Sequence, residues 1–118
     1  MDERRQVGDA AEELVAAALR GRGYRVVGRN VDTPSGELDL VVRNGREVVV
    51  VEVRSRRGGD ADAPADSVGK GKRRKVRRTA ARWLDDRPVD YEEVRLFAAV
   101  VIWRGTDDPE VTIIEDAF

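Results

Sequence analysis

Residues 36–57 read GELDLVVRNGREVVVVEVRSRR, and this stretch decides the fold. The dipeptide Asn44-Gly45 separates two valine-rich runs. Asparagine and glycine tolerate the positive φ angles that a two-residue hairpin turn requires, so the pattern predicts two antiparallel strands joined at this point. The unbroken valines at 48–51 indicate that the second strand is central and covered on both faces.

The predicted hairpin brings ionisable side chains together. Its register places Asp39 opposite Val50 and diagonally from Glu52, on the same face of the sheet. Arg54 shares this face with Glu52, because the side chains of a strand alternate. A one-residue bulge at the turn would instead send Asp39 to the other face. With a regular turn, Asp39, Glu52 and Arg54 are expected to converge.

Composition excludes several classes of active site. The 118 residues contain no cysteine and no histidine. Disulfides, thiolate nucleophiles, Ser-His-Asp triads and histidine-containing zinc sites are therefore excluded. The carboxylates, guanidinium groups, lysines and hydroxyls that remain suit a hard, oxygen-binding cation such as Mg²⁺.

Length and hydropathy place the chain among small globular proteins. Its length fits a single domain, residues 1–118. No apolar run is long enough to span a membrane, and the N-terminal residues lack the apolar region of a signal peptide. A cytoplasmic location is therefore expected.

The net charge of −1 hides a strong asymmetry along the chain. Residues 54–82 hold eleven arginines and lysines against three aspartates, a local charge of +8. Residues 72–84, which overlap the end of this segment, have helical periodicity. The predicted inner face of this helix consists of Val76, Ala80, Trp83 and Leu84. A solvated outer face is one hypothesis, but so many like charges would repel each other, and polyanion binding is favoured.

The remaining segments complete an α/β pattern. A helix is predicted at residues 8–20, strands at 24–27, 94–103 and 111–114, and a turn at 29–35. The order helix, strand, hairpin, helix, strand, strand predicts a three-layer α/β/α sandwich with a central mixed sheet, the last strand at an edge. Glu12 falls on the edge of the first helix's apolar stripe, where a site residue and a solvated glutamate are equally compatible with the spacing.

The acidic residues resemble a known nuclease core. The PD-(D/E)xK, or restriction-endonuclease-like, superfamily has an acidic residue on one strand, Glu-X-Lys on the next and a glutamate on the preceding helix. Asp39, Glu52-Val53-Arg54 and Glu12 resemble this arrangement. Over almost its full length the chain is similar to the YraN-type family of small bacterial proteins. The matching residues are Gly8, Glu12, Gly23-Tyr24, Asn30, Gly36-Glu37-Leu38-Asp39-Leu40, Val51-Glu52-Val53-Arg54, Arg56, Lys72, Val76, Ala80, Trp83, Leu84, Arg95 and Asp116-Ala117-Phe118.

The resemblance implies metal-dependent hydrolysis of phosphodiester bonds in DNA. Asp39, Glu52 and the main-chain carbonyl of Val53 would hold Mg²⁺ or Mn²⁺. Glu12 or Glu37 would support a bound water or a second ion. The nucleic-acid backbone would be held by Arg56, Arg57, Lys72, Arg73 and Arg77. A homodimer and a preference for branched or flapped DNA are compatible with this hypothesis.

Two departures from the family pattern bear on activity. Arg54 stands where lysine is common, and Phe97 stands where an aspartate is usual, two residues after Arg95. Arginine would stabilise the charge that develops on a phosphate, but it cannot deprotonate to act as a base. The alternative function is therefore a catalytically inactive DNA-binding or adaptor domain. A third hypothesis is an interaction module whose basic helix meets an acidic protein.

Overall fold

The computed structural model describes residues 3–34, 36–57, 70–85, 91–105 and 108–116, with only the main chain at 3–8, 57 and 70–74. In chain order the elements are α1 (Glu3–Gly21), β1 (Arg25–Thr33), β2 (Gly36–Asn44), β3 (Glu47–Arg57), α2 (Lys70–Asp85), β4 (Glu93–Trp103) and β5 (Glu110–Ile114). Their order is the one that the sequence predicts.

The five strands form one mixed sheet in the order β1-β2-β3-β4-β5. β3 and β4 are parallel, and every other neighbouring pair is antiparallel. The parallel pair needs a long crossover connection, and α2 lies within it. One helix packs on each face of the sheet, so the predicted three-layer α/β/α fold is confirmed.

Side-chain alternation along β3 creates two apolar layers. Val49 and Val51 pack in the layer under α1, whereas Val48 and Val50 pack in the layer under α2. From the helix, the α1 layer is filled by Ala11, Val15, Ala16 and Leu19, all fully buried. The four-valine run is therefore covered on both faces, as predicted.

α2 turns an apolar side to the sheet and a basic side to solvent. Its predicted inner face, Val76, Ala80, Trp83 and Leu84, is buried, together with Thr79. Its described basic side chains, Lys75, Arg77, Arg78 and Arg82, are all exposed. Within the described residues, neither helix has the length and apolarity needed to cross a bilayer.

The turn predicted at residues 29–35 is wrong, because β1 continues through Thr33. Val31 pairs with Leu38 and packs in the α2 layer, which holds this part of the chain in the sheet. The turn is confined to the residues after Thr33, whose hydroxyl donates to the Gly36 carbonyl at 2.7 Å. β1 is thus a full edge strand.

The hairpin turn lies one residue later than predicted. Asn44 pairs with Glu47, which leaves Gly45 and Arg46 as the turn residues. Gly45 has a φ of +60°. Arg43 donates from Nε and Nη2 to the Gly45 carbonyl at 3.0 and 2.7 Å. Moving the turn by one residue changes the pairing of the two strands by two residues. Because side chains alternate with a period of two, each side chain stays on its predicted face.

Candidate functional site

β2 and β3 separate next to Asp39. Their pairing runs from the turn as far as Leu40 and Val51. Beyond that pair, Oδ2 of Asp39 accepts a hydrogen bond of 2.9 Å from the main-chain N–H of Val53. In a regular ladder a main-chain carbonyl would take this bond. The strands open here, and both Asp39 and Val53 line a cavity.

Asn30 and Asp39 share an irregular step in the sheet. Leu38 packs in the α2 layer, whereas Leu40, two residues later, packs in the α1 layer. A regular strand would put both side chains on one face. On the neighbouring strand Asn30 has a φ of +46°, in the left-handed region that asparagine enters more readily than most residues. The step turns Asn30 and Asp39 toward α1, and both line the cavity there.

The cavity between α1 and the strand ends is strongly acidic. Its volume is about 560 Å³. Its lining is Asp9, Ala11, Glu12, Asn30, Asp32, Glu37, Asp39, Val53 and Ser55. Five of these nine residues are carboxylates, and none is an arginine or a lysine. The described lining therefore concentrates negative charge without a matching cation.

Glu12 is buried, with only 8% of its surface exposed. In the amide orientation that satisfies both side chains, the Asn30 nitrogen donates to Oε1 and Oε2 of Glu12 at 2.9 and 3.3 Å. Burial raises the pKa of the Glu12 carboxyl, the charges of Asp39 and Asp9 raise it further, and the bond from Asn30 opposes the rise. Glu12 is thus a buried carboxyl that faces other carboxylates, and not a solvated first-turn residue.

The arginine that acts on Glu12 is engaged with another carboxylate. Arg29 forms an ion pair of 2.7 Å with Glu13, on the exposed side of α1, and Arg20 bonds the same glutamate at 3.2 Å. Arg29 lowers the pKa of Glu12 by less than burial raises it. Arg29 is also the main reason why the pKa of Glu13 is lowered. Two adjacent glutamates therefore have pKa values displaced in opposite directions.

The cavity suits a hydrated divalent cation. Among the described residues, no three acidic side chains gather closely enough to chelate one ion. Mg²⁺ needs fewer protein ligands, since it commonly binds through one or two carboxylates and keeps several waters. Glu12 and Asp39 offer hard oxygen donors whose charges repel each other, and the cavity has room for the waters. A cation between them would relieve that repulsion.

Glu52 and Arg54 lie on the opposite face of the sheet from the cavity. Glu52 pairs with Ala98 of the α2 layer and is 8% exposed. Arg54 follows on the same face, and its Nε is buried with no hydrogen-bond partner in the part of the chain that the structure describes. The predicted sharing of one face with Asp39 is wrong, because the irregular step turns Asp39 toward α1. The catalytic and metal-binding roles of Glu52 and Arg54 stay predictions.

The predicted pairing of Asp39 with Val50 is also wrong, since Val50 pairs with Val41 after the shift of the turn. Glu37 and Val53 line the cavity, and their predicted roles near a cation stay predictions. Arg56 is partly exposed, and Arg77 is exposed on α2. The side chains of Arg57, Lys72 and Arg73 lie outside the described residues.

Besides Ala11, four polar residues that line the cavity were not predicted from the sequence as site residues: Asp9, Asn30, Asp32 and Ser55. Their spacing holds a signal. Asp9 precedes Glu12 by three residues on a helix, which places the two on one side. Asp32 follows Asn30 by two on a strand, and Ser55 follows Val53 by two, so each pair shares a face. Because Glu12 and Val53 are assigned to the site, periodicity gives Asp9 and Ser55, whereas neither Asn30 nor Asp32 follows from a predicted site residue.

The chain is similar to a family of bacterial proteins over most of its length. The model of Uncharacterised protein family UPF0102 matches residues 11–102. A UPF0102 protein of Syntrophotalea carbinolica is 36% identical over 98% of this chain and 94% of the relative. One of Moorella thermoacetica is 37% identical over 98% and 97%. The UPF0102 protein YraN of Escherichia coli is 39% identical over 97% and 85%. The chain therefore belongs to family UPF0102, which includes the YraN proteins.

Proposed function

We propose that this chain is a nuclease that uses a divalent cation to hydrolyse phosphodiester bonds in DNA. One observation carries the proposal: five carboxylates line a single cavity, and the described residues of its lining include no arginine or lysine. Burial and neighbouring negative charge raise the pKa of Glu12 in this cavity, so the fold keeps a carboxyl where its charged form is penalised. Such placement costs stability, and it is typical of sites that bind a cation or transfer protons.

Mg²⁺ or Mn²⁺ is the cation that this donor set favours. Asp39 and the Val53 carbonyl would hold it, and Glu12 and Glu37 would bond its waters. When bound, the ion lowers the pKa of the attacking water and neutralises charge on the phosphate oxygens. Glu12, whose pKa is raised, is suited to take the proton that this water loses. Asn30 orients the Glu12 carboxylate for this transfer through its amide hydrogen bond.

The side chain of Lys75, on the basic side of α2, lies beside the start of β2. The Lys75 Cε atom lies 3.6 Å from the position that a Cβ would take on Gly36. The next residue, Glu37, lines the cavity. A DNA backbone that crosses this strand end would meet cations on α2 and place a phosphodiester at the cavity. Contacts of this kind go to phosphates, so little sequence preference is expected.

The alternative is a DNA-binding domain without catalysis, and two observations favour it. Residue 54 is an arginine where the resemblance to the YraN-type family leads us to expect lysine, and arginine cannot act as a base. Glu52 lies on the α2 face, away from the carboxylates of the cavity. Under this hypothesis the basic face of α2 still binds DNA, but the cavity holds no catalytic ion.

A cleavage assay tests the proposal. Labelled linear, flapped and four-way-junction DNA is incubated with Mg²⁺ or Mn²⁺ and with the native chain, Asp39→Asn, Glu12→Gln or the control Glu13→Gln. We expect the native chain and Glu13→Gln to cut, Asp39→Asn to lose cutting and Glu12→Gln to be slowed. Cutting by Asp39→Asn at the native rate would contradict the site. Binding by the native chain without cutting in either metal would favour the alternative.

A second assay measures binding of the cation through the thermal stability of the chain. Because a ligand that binds only the folded state stabilises it, Mg²⁺ should raise the Tm of the native chain. The rise should be smaller in Asp39→Asn and unchanged in Glu13→Gln, whose side chain does not line the cavity. Glu52→Gln in the same assay measures whether Glu52 contributes to the ion site from the other face.

A further inference from the structure

The carboxyl ends of the two parallel strands meet at one edge of the sheet. β3 and β4 stay in register as far as Arg57 and Trp103. Just before them in β3 lie Ser55 and Arg56, of which Ser55 lines the cavity. The indole of Trp103 is therefore at the same end of the sheet as the acidic cavity, whereas Arg56 alternates to the face of Glu52 and Arg54.

The indole of Trp103 is fixed beside the cavity. Its Nε1 donates to Oγ of Ser55 at 2.6 Å, and Ser55 is part of the cavity lining. One part of the ring packs against the α1 layer of the core, and another part is exposed. The hydrogen bond and the packing limit the rotamers of Trp103, so its exposed surface is presented to a ligand with little further loss of entropy.

The two tryptophans have different surroundings. Trp83 is 8% exposed and belongs to the layer under α2. Trp103 ends its strand at the surface and is followed by the exposed Arg104. An exposed aromatic ring is a common means of holding single-stranded nucleic acid, because an unpaired base of any kind can stack on its face.

We propose that Trp103 stacks an unpaired nucleobase of the strand whose phosphodiester enters the cavity. The preferred substrate is then DNA with a single-stranded segment at the cut, such as a gap or a flap. This rests on the nuclease function proposed above, since it names the substrate class of the same cavity. A base inside a regular duplex is stacked on both sides and does not reach the ring. Ser55 acts as a positioning residue that orients the indole.

Fluorescence of Trp103 tests the contact without altering it. The sequence holds two tryptophans, so Trp83→Phe leaves Trp103 as the sole indole. This variant is titrated with a single-stranded thymidylate oligomer and with a hairpin duplex of equal phosphate number, in Ca²⁺ so that binding is read without turnover. We expect quenching by the single strand and little by the duplex. Equal quenching by both, or none by either, would overturn the proposal.

Affinity provides the second test. Because one base stacked on an aromatic side chain contributes roughly tenfold or more in affinity, Trp103→Leu should lower the ratio of single-strand to duplex affinity about tenfold. Trp103→Phe keeps an aromatic face and should retain most of the ratio. Ser55→Ala should weaken the quenching in the Trp83→Phe background, because the indole loses its anchor. An unchanged ratio in a folded Trp103→Leu protein would refute the stacking, and if that variant does not fold, Trp103→Phe and the titration decide.

Base stacking on Trp103 and nuclease activity can be tested separately. Quenching by single strands in a chain that cuts nothing with Mg²⁺ or Mn²⁺ would support the stacking and reject the nuclease. Cutting of duplex and single strand at equal rates, with no quenching of Trp103, would support the nuclease and reject the stacking.

Discussion

The main-chain N–H of Val53 donates a 2.9 Å hydrogen bond to Oδ2 of Asp39 at the point where β2 and β3 part. The Asp39 carboxylate therefore has two effects. It satisfies a strand N–H that has lost its ladder partner, and it adds negative charge beside the buried Glu12, whose pKa it raises. Substitutions at Asp39 should distinguish the effect of the hydrogen bond from the effect of the charge.

Asp39→Ala should destabilise the chain by about 1–3 kcal/mol, because the Val53 N–H is left without its acceptor. Asp39→Asn retains an oxygen that accepts this bond and removes a charge that repels Glu12, so its unfolding free energy should equal or exceed the native value. Chemical denaturation of both variants measures the difference. An equal loss in Asp39→Asn would show that the carboxylate's charge, rather than the hydrogen bond, holds the strands.

Glu12→Gln should stabilise the chain at neutral pH. The folded-state pKa of Glu12 lies above its ordinary value of 4.5, so its ionisation costs stability as pH rises through the folded-state pKa. The advantage of the amide should shrink as pH falls and vanish below the ordinary value, where Glu12 is protonated in both states. Thermal denaturation across a pH series measures it. A gain that is independent of pH would contradict this account.

Glu13→Gln is the matched control, and its effect should have the opposite sign. Arg29 holds the pKa of Glu13 below its ordinary value, so Glu13 contributes stability above that value and loses it as pH falls through the folded-state pKa. At neutral pH Glu13→Gln should therefore be slightly less stable than the native chain, and the two should converge in acid. A pH profile like that of Glu12→Gln would mean that the two glutamates share one environment.

The elements that the sequence predicts correctly are those set by local periodicity. The four-valine run at 48–51 indicates a strand covered on both faces, and the 3.6-residue pattern of α2 identifies its buried side, including Trp83 and Leu84. These patterns hold because each depends only on which side chains must leave water.

The elements that the sequence misses depend on contacts between strands. The position of the hairpin turn follows from the pairing of Asn44 with Glu47 across the two strands, which leaves Gly45 and Arg46 in the turn. The irregular step at Asn30 and Asp39 involves two strands at once, so alternation within either strand fails to predict it. That step decides which carboxylates face the cavity. The family resemblance indicates Asp39 and Glu12 without giving the face on which they lie.

Gly28→Ala should destabilise the chain by about 1–3 kcal/mol through overpacking. A Cβ at Gly28 would lie 3.0 Å from Cη2 of Trp83 and 3.0 Å from Cγ2 of Val31, and the buried indole has little room to move. Adding Trp83→Phe should reduce the cost of Gly28→Ala, which a double-mutant cycle measures. The control is Gly21→Ala at the end of α1, where a Cβ meets nothing within 4 Å. The free energy of unfolding of Gly21→Ala should rise by up to about 1 kcal/mol, because alanine has the higher helix propensity.

Arg95→Lys should cost about 1 kcal/mol or more, because a lysine cannot reproduce a network of bonds made by one guanidinium. Arg95 bonds Asp116 at 2.7 and 3.1 Å, Glu47 at 2.8 Å and Glu115 at 3.0 Å, and it lies 4.9 Å from the centre of the Phe97 ring. These bonds tie the end of β5 to the starts of β3 and β4.

Urea denaturation at low and high salt measures the loss. The control is Arg46→Lys, since the Arg46–Glu92 pair is more than half exposed on both sides, and it should change stability by less than about 0.5 kcal/mol. Arg95 also holds the pKa of Asp116 below its usual range. The contribution of this pair is therefore complete above the ordinary pKa of Asp116 and is lost as pH falls through the lowered value. Equal losses in Arg95→Lys and Arg46→Lys would show that the network adds nothing beyond a surface pair.

The exposed face of α2 predicts how DNA binding responds to salt. Each phosphate contact releases a counterion, so the logarithm of affinity falls linearly with the logarithm of salt concentration, by about 0.9 per contact for duplex DNA. Arg77 and Arg78 are exposed on this face. Arg77→Gln and Arg78→Gln should each reduce the slope by about one while leaving the preference among DNA sequences unchanged.

Arg46→Gln, at the hairpin turn beyond the opposite end of β3, should leave the slope at the native value. Fluorescence anisotropy over a salt series measures all three. A slope that changes as much in Arg46→Gln as in Arg77→Gln would mean that DNA responds to the total charge of the chain, whereas a loss confined to α2 would identify the surface that carries the backbone.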